Sequence, residues 1–182
     1  METPLWYALS TKPRHEKAVA RHLDLQDLES FLPLYPAWHT WSDRKKAVDL
    51  PLFSGYVFCR FGYRERLTVL NTPGVGSIVG FAKKDIAVDE QEVEMVRRIV
   101  ASGHLFEPWP YFRLGDRVRI ASGALTGIEG TLVREKTLAR VVVNVELLHR
   151  AVSVEMDRDV LSPVSVSDAV AGARMSLAHQ HC

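Results

Sequence analysis

Basic side chains recur on a predicted helix near the amino terminus, and such groups contact nucleic-acid phosphates. Arg14, Lys17 and Arg21 are spaced by three and four residues and share one helix face, with Val19 and Leu23 on nearly the opposite face. Lys12 lies just before this set. The helix therefore offers either a local nucleic-acid contact through phosphates and stacking or an ordinary solvated face.

Residue sets that support catalysis or metal binding are not evident. GxSxG, P-loop and HExxH patterns do not occur, and the acids and histidines are scattered. His179, His181 and Cys182 stand together at the carboxy terminus but bring no fourth preorganised donor. The sequence predicts no enzyme, no metal and no cofactor.

An aromatic strand is the second candidate surface. In Leu52 to Phe61 a period of two places Tyr56 and Phe58 on one sheet face, and Val57 and Cys59 on the other. A sheet covered by helices on one side needs only one apolar face, so the Tyr56 and Phe58 face is predicted to dock a partner. Alternatively, the preceding hairpin or the carboxy-terminal part of the chain covers these rings.

The elements that must position these residues follow the ferredoxin-like plan of an antiparallel sheet with helices, an α+β fold. The predicted order is strand Leu5 to Ser10, a helix capped by Ser10 or Thr11 and running to about Asp27, a hairpin of Phe31 to Trp38 with Leu52 to Phe61, helix Tyr63 to Leu70, strand Val75 to Phe81 and helix Asp89 to Ser102. Pro108-Trp109-Pro110 is predicted to be a short, semi-stiff connection within residues 103–111.

The second half of the chain alternates apolar and polar residues around glycines. Gly115, Gly123, Gly127 and Gly130 stand where a tightly bent sheet needs positive φ or close backbone approach. The predicted strands are Arg117 to Ile120, Ile128 to Val133, Val141 to Leu147, Ala151 to Met156 and Val160-Leu161. About five strands in some fifty residues are typical of a small SH3-like β-barrel.

Composition and charge limit the partners. The chain has 182 residues, a net charge of +1 and two cysteines, so wrapping of nucleic acid by bulk charge and a disulfide framework are both disfavoured. No membrane span or signal peptide is evident, and the protein is expected to be cytoplasmic and monomeric. We predict domains at 1–108 and 109–163, and a disordered tail at 164–182.

These segments resemble the NusG/RfaH family of transcription elongation factors. The carboxy-terminal likeness is to the KOW motif, carried by Gly115-Asp116, Val118, Gly123, Gly127 and Gly130. The amino-terminal likeness is to the NusG amino-terminal domain, carried by Trp6-Tyr7, the Leu50 to Phe58 run and Asn71 to Val75. The resemblance implies a ferredoxin-like domain followed by a KOW SH3-like barrel.

The resemblance also implies partners for the amino-terminal half. Tyr56 and Phe58, with Ile78 or Phe81 from the neighbouring strand, would contact the clamp helices of the largest catalytic subunit of RNA polymerase. The basic set Lys12, Arg14, Lys17 and Arg21 would contact the non-template DNA strand. Asn71 and Thr72 are a secondary DNA candidate or an ordinary helix stop.

In the KOW barrel, Leu148 and Arg150 take the places of a phenylalanine and an arginine that meet Rho or a small-subunit ribosomal protein in NusG. Leu147 is either part of this contact or barrel core. Leucine in place of an aromatic anchor leaves the identity of the partner open.

The function implied is binding to RNA polymerase that suppresses pausing and termination, with a second partner recruited through the barrel. Ser54, where the general factor usually has proline, favours a specialised antitermination paralogue. A housekeeping NusG that assists Rho and a KOW-type ribosomal or RNA-binding protein are the alternatives, the latter disfavoured by the low net charge.

Overall fold

The computed structural model describes residues 3–41, 44–82, 84–110, 115–134, 139–146 and 148–164. Its helices are α1 (Glu16–Asp24), α2 (Arg66–Leu70, after a 3-10 turn at Tyr63–Glu65) and α3 (Glu90–Ala101). Its strands are β1 (Leu5–Thr11), β2 (Glu29–Phe31), β3 (Leu34–Trp41), β4 (Arg44–Pro51), β5 (Tyr56–Phe61), β6 (Val75–Ile78), β7 (Gly80–Phe81), β8 (Lys84–Asp85), β9 (Phe106–Pro110), β10 (Asp116–Ile120), β11 (Glu129–Arg134), β12 (Ala139–Val145), β13 (Arg150–Met156) and β14 (Leu161–Pro163).

The amino-terminal half forms a four-stranded antiparallel sheet in the order β2-β5-β1-β6. The predicted alternation along β5 is confirmed, because Val57 and Cys59 share a buried cluster with Val19 and Leu23 of α1, whereas Phe58 belongs to a different cluster. Helices α1 and α2 therefore pack on the Val57 side of this sheet. The α+β fold class predicted from the sequence is confirmed.

Helix α3 covers the second face of the four-stranded sheet. Asp89 caps the amino-terminal end of α3, because its carboxylate accepts a hydrogen bond from the backbone N–H of Gln91 at 2.8 Å. The buried stripe of α3, Val93, Val96 and Ile99, lies in the same cluster as Phe58. The expectation that helices cover only one face is therefore wrong, and two separate apolar layers explain why both sides of β5 are apolar.

The carboxy-terminal half forms a six-stranded antiparallel sheet in the order β14-β10-β11-β12-β13-β9. The predicted need for glycine is confirmed: φ is positive at Gly115, Gly123 and Gly127, and the backbone of β12 leaves no room for a Cβ at Gly130. The apolar side chains of Val141, Val143 and Val145 and of neighbouring strands form the buried layer of this sheet.

Two predicted boundaries need correction. Helix α1 begins at Glu16, after Arg14, whose φ of 64° is left-handed and cannot continue a helix, and Thr11 lies in β1 without capping α1. The hairpin consists of β3 with β4, because the chain turns at Gly55, with φ of 85°, before β5 begins. Residues 42–43, between β3 and β4, lie outside the described residues.

The predicted connection at residues 103–111 contains a strand. Phe106–Pro110 form β9, which pairs with β13 at the edge of the six-stranded sheet. An edge strand tolerates proline where the backbone N–H would point away from the sheet. No hydrogen bond between strands is lost there, although proline has no N–H. The predicted domain boundary at residue 108 thus falls inside β9, and the predicted tail beyond Val164 lies outside the described residues.

The two sheets meet through α3. The guanidinium of Arg98 donates hydrogen bonds to the carbonyls of Ala124 and Thr126, at 3.0 and 2.8 Å, in the turn between β10 and β11. The carboxylate of Glu92 accepts one from the backbone N–H of Glu146, at 3.2 Å, in the turn after β12. One buried cluster extends from the four-stranded sheet through α3 into the six-stranded sheet.

Candidate docking and nucleic-acid surfaces

The aromatic strand exposes less than the sequence predicts. Phe58 is 1% exposed. Its ring packs edge-on against Phe53, with centroids 5.9 Å apart, and stacks on Phe31, with centroids 6.1 Å apart. Tyr56, two residues away on the same face, is partly buried. Phe58 is therefore a core residue covered by the layer that α3 completes, and the prediction of an outward-facing Phe58 is wrong.

Charged groups seal the edge of this face beside α3. The guanidinium of Arg97 lies 5.0 Å from the ring centroid of Trp6 and 5.1 Å from that of Phe31, and donates to Glu29 at 2.9 Å. Arg60 of β5 pairs with the same Glu29 at 3.8 Å. The sequence pattern does not reveal this cluster, since the alternation along β5 places Arg60 on this face but does not bring Arg97 of α3 to it.

Of the two candidates on the neighbouring strands, only Phe81 faces solvent. Phe81, in the β7 and β8 hairpin, is 77% exposed. Ile78 is 8% exposed and packs in the cluster on the α1 side with Leu9 and Val57, so its predicted place in a docking surface is wrong.

The predicted basic set is exposed at all four positions, Lys12, Arg14, Lys17 and Arg21. The ammonium of Lys17 donates to the backbone carbonyl of Asp49 at 2.7 Å, and Arg21 Nε donates to the carbonyl of Lys17 at 3.3 Å. None of the four forms an ion pair with a carboxylate of the described residues. These charges are available to an anionic partner.

The two secondary nucleic-acid candidates, Asn71 and Thr72, differ in exposure. Asn71 is exposed and caps the carboxy end of α2. Thr72 is 2% exposed, and its hydroxyl donates toward the Thr68 carbonyl at 3.0 Å and lies 3.2 Å from Gln26 Oε1. Thr72 therefore lies buried in the turn that follows α2, as in the simpler alternative of an ordinary helix stop, and is not accessible to DNA.

The turn between β12 and β13 was predicted to present an apolar anchor. Leu148 is 7% exposed and belongs to the cluster shared with α3, so the anchor is buried. Arg150 is exposed at the start of β13, and Leu147 lies outside the described residues. The same turn holds the Glu146 N–H that bonds to Glu92. Packing of the turn against α3 explains how an apolar residue is accommodated there.

The pKa values of Glu92 and Cys59 are shifted by their surroundings. Burial raises the pKa of the Glu92 carboxyl, the Glu146 N–H lowers it, and the nearby carboxylates of Asp89 and Glu146 raise it, with a net rise. Burial, with the negative charges of Asp24 and Glu29, raises the pKa of the Cys59 thiol to about 12. Cys59 is thus an inert core thiol, and Glu92 lies at the contact between α3 and the six-stranded sheet.

A cleft of about 960 Å³ lies beside the start of α1, and residues 48–55 of β4 and the loop after it form much of its lining. Strand β1 contributes Thr11, the turn before α1 contributes Arg14, and the loop before β5 contributes Phe53. Trp109 and Arg150 line the opposite side, from β9 and β13. No local sequence pattern predicts this cleft, because Trp109 and Arg150 come to the same cleft as the start of α1 only through the packing of the two halves of the chain.

Among the described residues, no group of three or more His, Cys, Asp or Glu side chains is placed to hold a metal ion. None of the helices in the described part of the chain is both long and apolar enough to cross a membrane.

The fold and surfaces define the class of α+β proteins in which a helix-covered antiparallel sheet precedes a small all-β unit. The sequence model of the transcription termination factor NusG matches residues 4–97, more than half of the chain. The chain belongs to the NusG family, as the sequence resemblance predicts, and is a transcription termination/antitermination factor of that family.

Similar proteins span nearly the same length. The transcription termination/antitermination protein NusG of Campylobacter jejuni is 26% identical over 169 residues, covering 86% of this chain and 95% of the relative. NusG of Thermus thermophilus is 26% identical over 174 residues, covering 84% and 94%. The solved structure titled "Domain interaction in Thermotoga maritima NusG" has a TM-score of 0.57 and 19% identity, covering 89% of this chain and 98% of that one.

Proposed function

We propose that the chain binds transcribing RNA polymerase through its amino-terminal half, suppresses pausing and termination, and recruits a second protein through the six-stranded sheet. The observation that carries the proposal is the family match over residues 4–97, which spans the aromatic strand and Phe81. The polymerase contact is the pair of clamp helices, met by Tyr56 and Phe81. Binding that favours the closed clamp would lower the population of paused states.

The other contacts follow from what is exposed. The basic set on α1 and in the turn before it meets the non-template DNA strand, and Asn71 extends it. Arg150 is the exposed member of the contact for Rho or a ribosomal protein, whereas Leu148 is reachable only if its turn leaves α3. Ser54 is exposed in the loop before β5 and, with Leu148, favours a specialised antitermination factor over a housekeeping one. We place the division between the two domains in residues 102–105, before β9.

The test is a pull-down with purified RNA polymerase, followed by a pause assay. Tyr56→Ala combined with Phe81→Ala should weaken binding and pause suppression together. Tyr63→Ala is the matched control, because Tyr63 is 76% exposed and Phe81 is 77% exposed. Phe58 is left intact, since its truncation would destabilise the fold. Unchanged polymerase binding by the double variant would refute the docking surface, and no binding by the wild type would favour an RNA- or ribosome-binding protein.

A further inference from the structure

The cleft between the two sheets has the dimensions of a ligand site. Its volume of about 960 Å³ lies near the upper end of the range of ~300–1,000 Å³ for small-molecule pockets. Its lining comes from the start of α1 and the turn before it, from residues 48–55 of β4 and the loop before β5, and from Pro108, Trp109 and Arg150 of the six-stranded sheet. A ligand here would touch both halves of the protein.

The charges of the cleft favour an anion. Arg14, Lys17 and Arg150 line it, and none of them pairs with a carboxylate of the described residues. Two carboxylates also line it, and Glu16 is already engaged, because it is 5% exposed and accepts the N–H of Gly55 at 2.8 Å. Three cations thus face one unengaged carboxylate, that of Asp49, and a phosphate group suits such an arrangement.

The cleft also offers aromatic contacts for a planar group. Trp109 lines it partly buried, with the Arg140 guanidinium 5.0 Å from its ring centroid, and Tyr35 lines it as well.

We propose that this cleft binds a nucleotide unit, with the base on Trp109 and the phosphate among Arg14, Lys17 and Arg150. The unit belongs to a single strand passing between the sheets or to a free nucleotide. For a single strand, the inference rests on the nucleic-acid contact proposed for α1 and deepens it by adding Trp109 and Arg150. Because the ligand touches both sheets, its binding favours the packed arrangement over one in which they separate.

The experiment measures binding of the full chain to three probes at a fixed 150 mM salt. The probes are a fluorescein-labelled dT12 strand, the same strand without bases, and ATP as a free nucleotide competing with dT12. We expect dT12 to bind more tightly than the abasic strand, because stacking on Trp109 needs a base. Displacement by ATP identifies a free-nucleotide site, whereas retention of dT12 identifies a single-strand site.

Variants separate the cleft from the outer face of α1. Arg150→Glu and Trp109→Leu should weaken dT12 binding about 5- to 100-fold, as expected for loss of a phosphate or stacking contact, whereas Trp109→Phe should retain most of it. Arg64→Glu is the matched control, since Arg64 is exposed and does not line the cleft. Circular dichroism checks the fold, and Arg150, being exposed, tests the site without disturbing the core.

Lys12 and Arg21 belong to the basic set but do not line the cleft. If Lys12→Glu and Arg21→Glu weaken binding while Arg150→Glu and Trp109→Leu do not, the strand follows α1 alone and the cleft proposal is overturned. If the wild type binds neither dT12 nor ATP, both the cleft and the proposed nucleic-acid contact of α1 fail.

Discussion

The carboxylate of Glu92 on α3 accepts a hydrogen bond from the backbone N–H of Glu146 at 3.2 Å, and this contact joins α3 to the turn after β12. The surrounding charges come from both sides of the contact. Asp89 lies on the α3 side, and Arg117, Glu129 and Glu146 lie on the side of the six-stranded sheet. Burial against this sheet raises the pKa of Glu92, so an ionised Glu92 opposes the packing that its hydrogen bond supports.

The packing of α3 against the six-stranded sheet is therefore predicted to depend on pH. A carboxyl whose pKa is raised by packing binds a proton more tightly when packed. The favourable contribution of Glu92 to the packing of α3 on the six-stranded sheet is complete below the usual pKa of an exposed glutamate. This contribution is lost as pH rises through the raised pKa of Glu92. Glu92→Gln keeps an oxygen for the Glu146 N–H without the charge, so it should hold the sheets together at neutral pH.

The measurement is the distance distribution between spin labels at Arg64→Cys and Asp157→Cys, with Cys182→Ser. Both labelled positions are exposed, one on each side of the contact. The wild-type background should show a broader distribution at pH 8 than at pH 5, and Glu92→Gln a narrow one at both. Glu94→Gln, an exposed carboxylate on the same helix, is the control. A distribution unaffected by pH and by Glu92→Gln would contradict the prediction.

Cys59 is predicted to be unreactive in the native protein. Its pKa of about 12 leaves roughly one thiol in ten thousand ionised at pH 8, and its side chain is fully buried. Iodoacetamide treatment followed by peptide mass spectrometry should find Cys59 unmodified in native protein and modified in urea. Rapid native modification of Cys59 would show that the layer between α1 and the four-stranded sheet opens readily.

Phe58→Ala should cost about 3–5 kcal/mol of unfolding free energy, because it removes a fully buried ring that packs on Phe31 and Phe53. Phe81→Ala should change it by less than about 0.5 kcal/mol, since Phe81 is 77% exposed. Urea unfolding followed by circular dichroism compares the two. Equal stability of the two variants would mean that Phe58 is not the core residue described above.

The sequence predicts elements well where the signal is local. Alternation assigns Tyr56 and Phe58 to one face of β5, and the apolar stripe of Val93, Val96 and Ile99 predicts α3. It does not predict that α3 lies on the Phe58 face, because both apolar layers of the sheet are equally good partners for that stripe.

The candidate site was less predictable for the same reason. Whether a candidate side chain is exposed depends on which distant element packs against it. Phe81 is exposed for this reason, whereas Ile78, Thr72 and Leu148 are buried. Judged by local sequence alone, Pro108 and Pro110 predict a connecting loop. They are compatible with a strand only because β9 lies at the edge of the six-stranded sheet. The cleft requires two sheets to be assembled, so local patterns could supply its basic residues but not its shape.

Gly130→Ala tests whether close packing of β11 on β12 holds the six-stranded sheet together. A Cβ at Gly130 would lie 2.5 Å from Val141 Cγ1 and 2.6 Å from the Val142 carbonyl oxygen, so β11 would have to move away from β12. We expect a loss of about 1–3 kcal/mol, measured by urea unfolding. Gly76→Ala in β6 is the control, because its nearest neighbour is an ordinary 3.4 Å away. A Gly130→Ala variant as stable as this control would mean that the two strands have room to separate, and that glycine is not required there by packing.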